Sequence, residues 1–276
     1  MIERTATIGD TPTRWLEQEG DGVPVVLLHG IPTSPALWRH VVPLLPGLRV
    51  LALELTGYGD SIPAGRGRDL SLRAQADRLL DWLDVLGVRS AVLVGHDLGG
   101  GVAHIAAVRR PGACAGLLLT NAVGYDSWPI PAVKVLSAAA PLLRRLPAAA
   151  LRPGLAVLMA RGHDDASVAR ESLGVHARPY ADHGGGRALA DQVTALHTRD
   201  TLEVAGALPS LRVPARVVWG VADQFQEVRY GERFARDLGA PLRRIEGGKH
   251  FTPEDHPDVV AEQVRGLVAE VAASQR

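Results

Sequence analysis

Short apolar, β-branched runs recur along the chain, each bounded by Gly, Pro or polar residues. Residues 5–8 and 14–17 predict a leading hairpin-like pair. Residues 23–29 (VPVVLLH), 50–55 (VLALEL), 91–94, 116–120, 215–220 (ARVVWG) and 241–245 predict further strands. The central runs are almost continuously apolar, the pattern of parallel strands covered on both faces. Between them, residues 70–86 place Leu72, Ala76, Leu79, Leu80, Leu83 and Leu86 on one helical face, and Gly87 closes the segment. Residues 102–109, 229–238 and 259–272 predict three more helices. Strand and helix in alternation predict a parallel α/β sheet.

One region breaks the alternation. Residues 121–211 hold no convincing strand and are rich in Ala, Leu and Pro, with helix-like pieces at 131–146, 165–174 and 187–205. Gly184, Gly185 and Gly186 predict a flexible joint inside it. The pattern predicts a core domain of residues 1–123 and 207–276, with a helical cap domain of residues 124–206 over the C-terminal edge of the sheet.

Composition narrows the function. With 276 residues, 46% of them hydrophobic, the chain is long enough for a large core. Thirty Lys and Arg balance thirty Asp and Glu, so nothing points to nucleic acid or an acidic membrane. Cys114, the one cysteine, excludes an internal disulfide and sits in an apolar run that predicts a buried thiol. The N-terminus has no basic segment followed by an apolar one, and no stretch approaches a membrane span. A cytoplasmic protein, monomeric or homodimeric, is the expectation.

The chemistry centres on residues 92–104, VLVGHDLGGGVAH. A strand, a sharp turn and a helix are the setting in which G-x-S-x-G places a serine nucleophile, and here the middle residue is Asp97. His29-Gly30-Ile31 follows another strand. The backbone N–H groups of Ile31 and Leu98 would form a pair of fixed donors for a tetrahedral oxyanion. Asp223 follows the strand at 215–220, and His250 follows the next. The order Asp97, Asp223, His250 is that of nucleophile, acid and base, with both partners at the C-terminal strand ends where open α/β sheets bind ligands. Each residue alone also has a plain reading, as a turn residue or a packed histidine.

HGIPTS, ELTGYGDS, GHDLGG, WGVADQF and GGKHF together resemble the α/β-hydrolase fold, in its aspartate-nucleophile branch. That branch includes epoxide hydrolases, haloalkane dehalogenases and fluoroacetate dehalogenases, and HGIPTSPALWR is especially similar to the haloalkane dehalogenase stretch. The resemblance implies a mostly parallel sheet flanked by helices, a helical cap, and an Asp97–His250–Asp223 triad. A carboxylate is already ionised at neutral pH and displaces a leaving group at saturated carbon, giving an alkyl ester. The histidine then activates water against the Asp97 carboxyl carbon.

The leaving group divides the possibilities. Dehalogenases of this branch carry side-chain donors after the nucleophile and after the HG pair; here those positions are Leu98 and Ile31. Epoxide hydrolases need only backbone N–H groups there, and use cap tyrosines, sometimes with a histidine, to hold the ring oxygen. Trp128, Tyr125, Tyr180 and His176 are the candidates for contact with the substrate. An epoxide hydrolase is expected first and a haloalkane dehalogenase second. A cofactor-free lyase, isomerase or cyclisation enzyme, with Asp97 as base, and a non-catalytic binding protein remain as further possibilities. The Ala, Leu and Val of the cap predict a hydrophobic organic substrate, with water as co-substrate. His176 and His183 lack a zinc-like partner set, and the glycines after Asp97 do not follow G-x-G-x-x-G, so neither a metal nor a cofactor is expected. His96 is expected to pack on the elbow, Asp165 to open a helix beside His163 and Asp164, and Glu54 to fix a turn.

Overall fold

The computed structural model describes residues 1–274. Eight strands form one sheet: β1 (Ile2–Ile8), β2 (Thr11–Gln18), β3 (Asp21–Leu28), β4 (Leu48–Leu53), β5 (Ala91–His96), β6 (Cys114–Thr120), β7 (Ala215–Gly220) and β8 (Leu242–Ile245). Their spatial order is β1-β2-β4-β3-β5-β6-β7-β8. β2 runs antiparallel to both its neighbours, and every other pair is parallel. The helices are α1 (Leu72–Val85), α2 (Leu98–Arg109), α3 (Pro131–Ala138), α4 (Ala140–Leu143), α5 (Ala148–Gly162), α6 (Ala166–His183), α7 (Gly185–Thr194), α8 (Arg199–Ala205), α9 (Val228–Leu238), α10 (Thr252–Asp255) and α11 (Pro257–Ser274).

Alternate residues of each central strand feed two separate cores, as the period of two requires. Val26, Leu28, Leu93 and Leu117 pack with Leu79 of α1, Val102 of α2 and Phe234 of α9. Val25, Leu27, Val92 and Leu118 pack with Val260, Val264 and Leu267 of α11 on the opposite face. Both faces are thus covered, which explains the unbroken apolar runs. The chain leaves β3 toward β4 on one side and leaves β5 toward β6 on the other. The loops after β3 and β5 therefore diverge, and this switch point is where an open α/β sheet has its crevice.

Helices α3 to α8 form the insertion between β6 and β7. Sequence reasoning missed α5, because Pro153 lies inside it; Leu151, Leu155 and Met159 nonetheless repeat every four residues and are buried. It also ended the next helix too early: α6 runs on through Pro179 to His183. The three glycines at 184–186 are not a flexible joint. Gly184 closes α6 with φ +118°, and a Cβ on Gly186 would sit 2.0 Å from the Leu143 carbonyl oxygen. They are small because α7 starts in tight contact with the end of α4.

Candidate functional site

β5 ends at His96 and α2 starts at Leu98, so Asp97 alone makes the turn, at φ 50° and ψ −121°. A side chain held at positive φ is strained, and such strain persists only where the surroundings fix it. Here two glycines permit the close approach. A Cβ on Gly99 would lie 2.2 Å from the Leu28 carbonyl oxygen, and one on Gly30 would lie 2.3 Å from Asp97 Oδ2. The loop after β3 thus presses its backbone against the Asp97 carboxylate, and Ile31 N–H donates to Oδ2 at 3.0 Å. Burial pushes the Asp97 carboxyl above its ordinary value, although His250 and the N–H groups of Ile31 and Leu98 oppose that rise.

His250 follows β8 and faces two carboxylates. Its Nδ1 donates to Asp223 Oδ2 at 2.8 Å, and its Nε2 lies 4.0 Å from Asp97 Oδ1. Burial alone would depress the imidazole, but Asp223, through charge and hydrogen bond, and Asp97 hold it above the usual histidine value. Asp223 is immobilised in turn: Asn121 Nδ2 donates to Oδ2 at 2.6 Å, and Phe225 and Gln226 N–H donate to Oδ1 at 2.7 and 3.1 Å. Burial works against the Asp223 carboxylate, yet these donors and His250 keep it below the ordinary range. The His250 main chain is fixed as well. Its carbonyl accepts from His96 Nε2 at 3.0 Å, and the N–H groups of His250 and Phe251 both donate to Gly162 O, at 2.9 and 3.0 Å.

Asp97 and His250 open into a pocket of about 480 Å³, its mouth included. Ile31 and Leu98 line its floor; Trp128, Ile130, Val133, Leu158 and Leu196 come from the insertion; Phe225 and Gln226 come from the loop after β7. Of the four residues expected to touch substrate, Trp128 lines this pocket, but its indole N–H is given to Thr201 Oγ1 at 2.8 Å. The other three are not among the lining residues. Tyr125 donates its hydroxyl to Asp237 at 2.9 Å, under the guanidinium of Arg233. Tyr180 donates to Gln192 at 2.7 Å, and Gln192 to the Gly57 carbonyl at 2.8 Å. His176 Nε2 donates to Glu254 Oε1 at 3.1 Å. These hydroxyl and ring donors fasten one element to another instead of facing Asp97.

A family model described as alpha/beta hydrolase fold matches residues 23–257. The chain belongs to the α/β hydrolase fold family. Uncharacterized hydrolase YugF of Bacillus subtilis (strain 168) is 26% identical to this α/β hydrolase over 251 residues, covering 88% of this chain and 89% of its own. The solved structure of epoxide hydrolase CorEH is 25% identical with a TM-score of 0.82, covering 98% of this chain and 99% of that one. Haloalkane dehalogenase DbeA from Bradyrhizobium elkani USDA94, at 23% identity, a TM-score of 0.79 and 99% coverage of both chains, shares the fold. Membership of this family supports a hydrolase.

Beside the pocket, this α/β hydrolase has a second buried polar cluster that sequence reasoning missed. Glu254 of α10 takes hydrogen bonds from His163 Nε2 at 2.7 Å, from His176 Nε2 at 3.1 Å and from Arg39. His163 also stacks on Phe251 at 4.5 Å between ring centroids, with Nδ1 2.9 Å from the Met159 carbonyl oxygen. The cluster ties α5 and α6 to the core one turn beyond His250. Its members are scattered over more than 200 residues, so spacing could not reveal it. Asn121 and Gln226 were also missed. A polar residue immediately after an apolar strand, as Asn121 is after β6, was the available signal. Asp165 caps α6 by accepting from Ser167 and Val168 N–H, and Glu54 accepts from Ser61 Oγ and Asp60 N–H at the turn after β4. No group of three or more His, Cys, Asp or Glu among the described residues is arranged to hold a metal ion. None of their helices is long and apolar enough to cross a membrane.

Proposed function

We propose that this protein hydrolyses a small apolar epoxide through an alkyl ester on Asp97, residues 124–206 acting as a cap that supplies the apolar wall. One observation carries the reading: His250 stands between Asp97 and Asp223, in the wall of a pocket that is otherwise largely apolar. An Asp97 oxygen attacks a ring carbon, and the C–O bond breaks with its electron pair to oxygen. The alkoxide takes a proton from the His250 imidazolium, whose two carboxylate neighbours favour the charged form. Neutral His250 then removes a proton from water, and the oxygen attacks Asp97 Cγ. The oxyanion that forms on the Asp97 carboxyl oxygen is held by the N–H groups of Ile31 and Leu98. Collapse expels the second alkoxide, which takes the proton of the regenerated Asp97 carboxyl, and the diol departs.

An epoxide suits this site better than a halide. A departing halide takes no proton, so the His250 imidazolium serves an epoxide oxygen better; Ile31 and Leu98 offer only backbone N–H groups, and the Trp128 indole is already bonded to Thr201. The likeness to epoxide hydrolase CorEH supports the same choice. Carbon–halogen hydrolysis is the second reading, and the Trp128 ring in the pocket is what speaks for it.

Multiple turnover in heavy-oxygen water tests the covalent scheme. The label is expected in the Asp97 carboxylate, read by mass spectrometry of the peptide containing it; an unlabelled Asp97 after many turnovers excludes an ester intermediate.

The pH dependence follows from the charges. Esterification removes the negative charge of Asp97, one of the two that hold His250 above its ordinary value. His250 therefore becomes a weaker acid-holder at the step that needs it as a base. Rapid-quench measurement is expected to show alkylation falling, and ester hydrolysis rising, as pH increases. The midpoint of the second is expected to lie below that of the first. Coincident midpoints would mean that Asp97 does not act on His250.

A further inference from the structure

Gln226 is the polar side chain of this pocket that has no task yet. It lines the same space as Asp97 and His250 and is 3% exposed. Its backbone is fixed on both sides. The N–H donates to Asp223 Oδ1 at 3.1 Å, and the carbonyl accepts from Trp219 Nε1 at 2.8 Å. Its side-chain Oε1 is buried with no hydrogen-bond partner among the described residues. A half-turn about Cγ–Cδ exchanges oxygen and NH2, so the same place presents either an acceptor or a donor.

A buried amide oxygen without a partner is destabilising, and native proteins keep few of them. Where one lines a binding pocket, on a backbone that cannot shift, it complements a polar atom of the ligand. Apart from His250, the aromatic side chains expected to meet the substrate offer no rival. The Trp128 N–H is committed to Thr201, and the hydroxyls of Tyr125 and Tyr180 are committed to Asp237 and Gln192. The departing oxygen of an epoxide has need of such a group, because negative charge develops on it as the C–O bond breaks.

We infer that the Gln226 side-chain amide donates a hydrogen bond to the departing epoxide oxygen and is a catalytic residue, standing in for the missing tyrosines. The inference rests on Asp97 being the nucleophile. The amide gives up no proton: the electron pair of the broken bond stays on oxygen, and the proton comes from His250. The donor thus belongs to the loop that carries Asp223, on the core of the protein, and not to the insertion.

The test follows Asp97 ester formation by rapid quench and intact mass, with styrene oxide and with 1-bromobutane as probes. Gln226→Leu and the isosteric Gln226→Met are expected to slow alkylation by styrene oxide about 10²–10³-fold, the loss typical of one oxyanion donor. Alkylation by the bromide is expected to slow less than tenfold, since bromide departs without strong hydrogen bonding. Gln226→His, which returns an N–H, is expected to recover part of the epoxide rate. The melting temperature of the apolar variants is expected to be unchanged or higher, because an unpartnered amide is removed. Undiminished alkylation by styrene oxide in both apolar variants overturns the role of Gln226 and leaves Asp97 as nucleophile. Equal slowing with both probes does the same, since it marks a structural effect. Ester formation with the bromide alone overturns oxygen as the partner. A wild-type protein that forms no ester with either probe overturns the nucleophile reading, and the role of Gln226 with it.

Discussion

His250→Gln protein exposed to an epoxide is expected to gain the mass of one substrate molecule and to keep it. In the proposed scheme the two half-reactions make different demands on the protein. Asp97 is a carboxylate beside an imidazole, buried but served by Ile31 N–H at 3.0 Å, and its attack requires no base. Water is a poor nucleophile toward an alkyl ester unless a base takes its proton, and the proposed scheme gives that task to His250 Nε2, 4.0 Å from Asp97 Oδ1. Turnover is expected to fall on the order of 10⁴-fold, the upper range for a general base, while alkylation survives with solvent supplying the proton to the alkoxide. Asp97→Ala should abolish adduct and turnover together, with an unchanged circular dichroism spectrum. Turnover of His250→Gln within tenfold of wild type, or an adduct that persists in Asp97→Ala, would sink the assignment.

The second large effect is on stability. Glu254→Ala is expected to cost about 3–5 kcal/mol, because it strips the carboxylate from a buried cluster and leaves Arg39, His163 and His176 facing one another. In melting temperature that is a fall on the order of 10 °C for a domain of this size. Burial works against the Glu254 carboxylate, yet the two imidazoles and Arg39 hold it well below the ordinary range. A group whose value is depressed by folding adds stability above its unfolded value and loses it as pH falls through the folded one. Its contribution is therefore complete at neutral pH, and the gap between variant and wild type should narrow only in strong acid. Denaturant unfolding at pH 7 and at acid pH measures both; a difference below about 1 kcal/mol at pH 7 would show that the cluster is not cooperative.

The sheet was legible because its signals are local. Each central strand is a continuous apolar run, and each crossover helix carries one apolar stripe. The elbow was legible for the same reason, since strand, Asp97 and glycines are adjacent in sequence, and the packing of Gly99 on Leu28 gives the glycines their physical cause. The insertion was not. Pro153 and Pro179 sit inside helices whose partners are other helices, so tertiary burial overrides a residue that reads as a break. The substrate-facing residues failed for a related reason. Tyr125, Tyr180 and His176 have the right chemistry, but whether a hydroxyl or ring nitrogen is free depends on Asp237, Gln192 and Glu254, remote in sequence in two cases of the three. Gln226 carries no motif at all; only its place in the wall of the pocket that holds Asp97 and the lack of a partner for Oε1 mark it out.

The carbonyl of Gly162 has a consequence for how this protein could change over time. It is the last residue of α5, in the insertion, and it receives the backbone N–H groups of both His250 and Phe251. The insertion thus holds up the backbone of His250. An insertion lacking an acceptor at this place would leave two buried amide groups without their partner beside the imidazole. A changed insertion therefore has to supply an acceptor at the place of the Gly162 carbonyl if the loop carrying His250 is to keep its backbone hydrogen bonds.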